Sequence, residues 1–146
     1  MEWWLEPLAT KSHRELHYVR SSWIAEFWCT LSNIGFFVVA CMYGDVVTLF
    51  AATASVLSHC VPLERVHDLD LIGVACVFLR VAYYSPLLIQ HPEVMMVGSG
   101  ALFINRVDAY VTRRYVRTIG ATLHVVWHIA SAYALYRFDQ MIVDSM

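Results

Sequence analysis

The sequence is short of charge. Only 15% of its 146 residues are Asp, Glu, Lys or Arg, against 59% hydrophobic, and the mean hydropathy is +0.55. An average soluble domain carries about 25% charged and about 45–50% apolar residues. Basic residues are not in excess: 10 Lys and Arg face 12 Asp and Glu, which argues against a nucleic-acid-binding surface. No cleavable signal peptide is visible, because residues 1–22 include Glu2, Glu6, Lys11, Arg14, Glu15 and Arg20. The four cysteines, Cys29, Cys41, Cys60 and Cys76, have no paired spacing and read as small reduced core residues. Repeats, low-complexity tracts, linkers and nucleotide-binding loops are also missing, so residues 1–146 read as one domain.

Apolar runs are abundant. Phe27–Gly44, Val46–Leu63 and Thr118–Tyr136 hold no Asp, Glu, Lys or Arg, and Leu71–Ile89 is interrupted only by Arg80. Eighteen residues of helix rise about 27 Å, close to the hydrocarbon thickness of a bilayer. The expectation is an all-α, multi-pass transmembrane bundle of five spans, about 23–43, 46–61, 69–89, 94–111 and 118–137. The first span would serve as its own insertion signal. Lys11, Arg14, Arg20, Arg65, Arg113, Arg114 and Arg117 would share one side, which places the N-terminus in the cytosol. Mid-span Arg80 is expected to pair with a carboxylate such as Asp108 or to reach the interface.

Ionisable groups inside such runs are functional candidates. His124 and His128 are four apart, on one helix face, and an i,i+4 histidine pair suits either a metal ion or interhelical hydrogen bonding. Ser55 and His59 are also four apart, and Asp70 follows eleven residues later. The five-span arrangement puts all five side chains at one height. Three neutral imidazoles with an open fourth position suit a catalytic zinc ion, which lowers the pKa of its water to about 7. Asp70 then suits general base and proton donor, and Ser55 suits a hydrogen bond to a developing oxyanion. Cys60 as a fourth, structural ligand is disfavoured, since it points about 100° away from His59 on the helix.

Here the residues carry a resemblance. Ile24-Ala25-Glu26-Phe27-Trp28-Cys29-Thr30-Leu31-Ser32-Asn33 resembles the first-helix signature of the alkaline ceramidases, multi-pass zinc amidases related to the adiponectin-receptor superfamily. The family's Ser-x-x-x-His with a later Asp is similar to Ser55, His59 and Asp70, and its closing His-x-x-x-His to His124, Trp127 and His128. The resemblance implies hydrolysis of ceramide to a sphingoid base and a fatty acid. His59, His124 and His128 would be zinc ligands, Ser55 and Asp70 catalytic, the partner a membrane lipid, and the location an endomembrane (ER or Golgi). The family has seven spans. The short stretch between Asp70 and His124 leaves room for two fewer, with Asp108 matching a polar Asp of the sixth. Glu15 and Glu26 match carboxylates of the family's calcium site, but Ser12 and His17 stand where Asp and Asn are expected, so weak calcium binding or none is implied. The alternative reading is a shortened, inactive relative that keeps a structural zinc and binds lipid or a partner protein.

Overall fold

A computed structural model describes residues 18–61, 63–114 and 117–146, and its elements there are helical. In order they are α1 (Phe27–Ser32), α2 (Ile34–Tyr43), α3 (Val46–Cys60), α4 (Glu64–Tyr83), α5 (Ser85–Leu88), α6 (Pro92–Arg114) and α7 (Arg117–Asp144). Local chemistry sets the boundaries. Gly44 closes α2 with φ at 64°, a left-handed turn that favours glycine. Asp45 then caps α3, its Oδ1 accepting the Val47 N–H at 3.0 Å. Val61, the residue before Pro62, is extended and ends α3. Pro92 opens α6, where its missing N–H costs nothing.

Helices α3 and α4 form one hairpin and α6 and α7 another; α1 and α2 pack against both α3 and α7. Small residues allow close crossings. A Cβ on Gly73 of α4 would come within 2.8 Å of the Ala51 Cα on α3, and one on Gly35 of α2 within 3.0 Å of the Ala132 Cβ on α7. An apolar cluster of Val94, Phe138, Met141 and Ile142 fills one end of the α6–α7 hairpin. Elsewhere the buried apolar residues are mostly alanines, and the largest fully buried side chains include His128, Asn33, Thr48, Asp108 and Asp139. Arg80 donates to Asp45 at 2.8 Å and to Asp139, tying α4 to the start of α3 and to α7. Its partners are therefore Asp45 and Asp139, not the expected Asp108.

The five-span transmembrane bundle is overturned. Among the described residues no helix is long and apolar enough to cross a membrane. The run Phe27–Gly44 is split at Asn33 into helices of 6 and 10 residues. Helix α3 has 15 residues, about 22 Å of rise against a hydrocarbon core of about 30 Å. Helices α4 and α6 are longer, but α4 contains Glu64, Arg65, Asp68, Asp70 and Arg80, and α6 contains Glu93, Arg106 and Asp108. In α7, Thr, His, Ser and Tyr residues dilute the apolar ones. The integral multi-pass placement in an endomembrane loses its footing with the spans, as does the sidedness assigned from the basic residues. The all-helical expectation stands.

Candidate metal centre

The C-terminal end of α3 builds the first wall of the site. A helix leaves its last carbonyls without intrahelical donors. The segment before α1 supplies two: Ala25 N–H donates to the Cys60 carbonyl at 3.1 Å and Glu26 N–H to the His59 carbonyl at 2.9 Å. This backbone clasp sets the Glu26 carboxylate beside the His59 ring, with Oε2 2.6 Å from Nδ1. On the other side, Asp108 of α6 meets His124 of α7, Oδ2 to Nδ1 at 2.8 Å, and its Oδ1 accepts the Thr112 hydroxyl at 3.0 Å. His128, one turn further along α7, has its Nδ1 2.7 Å from the Ser32 hydroxyl. Ser32 in turn donates to the Cys29 carbonyl at 2.8 Å.

These partners fix the tautomers. A carboxylate only accepts, so His59 and His124 each carry a proton on Nδ1. Ser32 has one hydroxyl proton and gives it to the Cys29 carbonyl, so it accepts from His128 Nδ1 as well. The Nε2 atoms of His59 and His124 stand 3.3 Å apart. Two lone pairs at that separation repel unless a cation or a proton lies between them. Tetrahedral nitrogen ligands at about 2.05 Å from an ion are about 3.3 Å from each other. The donor set fits a metal ion.

The rings of the three predicted histidines are neighbours, but the tightest donor group takes in His59 and His124 and leaves out His128. Ring centroids lie 5.0 Å apart for His59 and His124, 5.2 Å for His59 and His128, and 4.4 Å for His124 and His128. The tightest group of ligand atoms among the described residues is Cys29, His59 and His124, all within 4.8 Å of one another. Cys29 is 0% exposed, His124 and His128 2% and His59 5%, so water does not compete freely for the donors. Buried carboxylates behind histidine ligands fix ring orientation and raise basicity, as in other metal sites.

Other predicted residues fall as follows. Ser55 is buried on α3, one turn before His59, and Asp70 is half-buried two turns into α4. The Ala51–Gly73 crossing lies one turn from each, so they stand level on facing antiparallel helices. Glu26, expected at a degenerate calcium site, is engaged with His59, while Glu15 lies outside the described residues. Cys60 contacts the Thr30 hydroxyl at 3.8 Å; the cysteine that joins the histidines is Cys29. Cys29, Ser32 and the orienting roles of Glu26 and Asp108 were not read from the sequence. A usable signal existed: Glu26, Cys29 and Asn33 recur at helical spacing through an otherwise apolar stretch.

Beside the cluster runs an apolar cleft of about 380 Å³ between α1, α2 and α7, lined by Trp28, Leu31, Ile34, Val125 and Ile129 and reaching Ser32. No protein-family model, curated protein or solved structure matches the chain.

Proposed function

We propose that this protein is a zinc-dependent amide hydrolase that cleaves ceramide into a sphingoid base and a fatty acid. The observation that carries the reading is the close approach of His59 and His124, whose Nε2 atoms stand 3.3 Å apart while each Nδ1 is held by a buried carboxylate. The Cys29 sulfur is the third donor of the tightest group, and the His128 ring lies beside it, its centroid 4.4 Å from that of His124. Imidazole with a nearby thiol suits zinc better than magnesium or calcium, which prefer oxygen. The apolar cleft supports a substrate with a long chain, since it offers hydrocarbon walls within one residue of His128's partner Ser32.

Zinc bound there supplies Lewis-acid activation of the amide carbonyl and the attacking water. Asp70 takes the proton of that water as its oxygen bonds to the carbonyl carbon, then delivers it to the nitrogen as the C–N bond breaks. Ser55 donates a hydrogen bond to the oxygen that gains charge. Glu26 and Asp108 hold the rings of His59 and His124 in register. A second reading, an inactive relative with a structural zinc that binds lipid or a partner protein, is favoured by Cys29, because cysteine thiolates recur among the ligands of structural zinc sites.

The test is ceramide turnover by the zinc-loaded chain in detergent, with and without chelator. Turnover that chelator stops, that His124→Ala loses together with the metal, and that Asp70→Ala loses while keeping the metal is the expected pattern. A folded, zinc-loaded protein that leaves ceramide intact refutes the hydrolase reading.

A further inference from the structure

The cleft between α1, α2 and α7 has a direction. Ser32 meets His128, and Gly35 lies against Ala132, so the first two helices run the same way as α7. The cleft therefore extends from Trp28 and Val125 at one end to Ile34 and Ala132 at the other. Val125 and Ala132 are separated by about 10 Å of helix rise. Hydrocarbon is nearly all that the walls offer. Ser32, the one hydroxyl among them, is engaged on both sides, by the Cys29 carbonyl and by His128 Nδ1.

At the Trp28 end stands a cation. The exposed Arg20 guanidinium lies over the Trp28 ring, 5.9 Å from its centroid. Among the described residues no carboxylate forms a salt bridge with it. We infer that Arg20 and the cleft together form a binding site for a single-chain fatty acid. Its carboxylate pairs with Arg20, and its chain lies along Leu31, Ile34, Val125 and Ile129. A planar guanidinium matches a carboxylate through two parallel N–H···O bonds, and the Trp28 ring beneath it holds the fork in place. An extended hydrocarbon advances about 1.2 Å per bond, the pitch implied by about 3.3–3.6 Å per three backbone bonds. The cleft thus covers about eight or nine carbons, and a longer chain runs out past Ala132. The site stands whether or not the protein hydrolyses ceramide.

The full chain, at one fixed detergent concentration, is titrated calorimetrically with decanoate and with decanol. One decanoate per chain is expected. From hexanoate to decanoate, affinity should rise about two- to fourfold per methylene, fourfold being the limit for full burial. From decanoate to tetradecanoate it should level off. Arg20→Gln is expected to weaken decanoate about two- to fivefold, the scale of an exposed ion pair, and to leave decanol unchanged. Ile129→Trp fills the cleft from its exposed rim and should remove both ligands, whereas Leu79→Trp, on an exposed face of α4, should remove neither. Circular dichroism checks that each variant keeps its helices. No loss of decanoate in Arg20→Gln, or an equal loss of decanol, overturns the carboxylate's place on Arg20. Binding that survives Ile129→Trp, that Leu79→Trp removes as well, or that takes several decanoates per chain overturns the cleft as the site. So does an affinity that climbs at the same rate through tetradecanoate, which is partition into an apolar surface. Folded wild type that binds no decanoate overturns the whole proposal.

Discussion

Glu26 offers the sharpest test of the metal centre, because two incompatible roles meet on one carboxylate. Its Oε2 lies 2.6 Å from His59 Nδ1, and both side chains are buried. A hydrogen bond to a charged group contributes about 1.5–3 kcal/mol net. Here its free energy would go into fixing the ring so that Nε2 faces a bound ion. Loss of such a carboxylate weakens metal binding about 10–100-fold, or about 1.4–2.8 kcal/mol. Glu26→Gln keeps an oxygen that can accept the Nδ1 proton and is expected near the tenfold end. Glu26→Ala removes the acceptor and is expected near the hundredfold end. The backbone bond from Glu26 N–H to the His59 carbonyl at 2.9 Å survives both changes, so α3 keeps its clasp. Competition against a chromophoric chelator gives the affinity, and circular dichroism checks the helices. If Glu26 belonged to a calcium site instead, calcium affinity would fall and zinc affinity would not. Wild-type zinc affinity in Glu26→Ala refutes the orienting role.

Three further outcomes follow from the packing. Gly120→Ala puts a methyl into the Thr112 side chain, which holds Asp108 and through it His124. Such overpacking costs about 1–3 kcal/mol, so a thermal melt should fall and metal affinity with it, and Thr112→Ala in the same chain should recover part of the melting temperature. Arg80→Met leaves Asp45 and Asp139 buried without their shared cation. Breaking a buried pair costs about 3–5 kcal/mol, and since Arg80 keeps some exposure the lower end is expected in urea unfolding. An unchanged midpoint would show that the three charges do not couple. Burial pushes the Asp139 carboxyl above the usual carboxylate range, with Asp45 adding to the rise and Arg80 opposing it. A raised folded-state value means that its contribution to stability is present below the unfolded pKa and is lost as pH rises through the folded one. Wild type should therefore lose stability relative to Asp139→Asn as pH climbs from the acid range, and a difference flat in pH refutes the assignment.

How much of this was legible in the sequence differs by feature. Helical content was, because the apolar stretches are long and interrupted by Gly44-Asp45 and by prolines at their edges. The nearness of His124 and His128 was, because i,i+4 spacing puts them on one face of α7; that Cys29 rather than His128 completes the tightest donor group with His59 and His124 was not. Reading the apolar runs as membrane spans failed on length and continuity. A count of uncharged residues does not register that Asn33 breaks the first run, nor that Glu64, Arg65 and Asp68 fall inside α4 rather than ahead of it. The partner of Arg80 was missed because Asp45 and Asp139 are far from it along the chain and meet it only when α3, α4 and α7 pack.

The residues alone determined that the chain is helical, where its turns fall, and that His124 and His128 sit one turn apart on α7, as Ser55 and His59 do on α3; spacing along a helix is a local property that 3.6 residues per turn enforces. What each ring nitrogen meets was decided only by tertiary contact. Glu26, Asp108 and Ser32 each take up an Nδ1, and they reach it from other helices or from the segment clasped to the end of α3. The place of Cys29 was decided the same way, since α1 must lodge between α3 and α7 before its sulfur can meet a nitrogen.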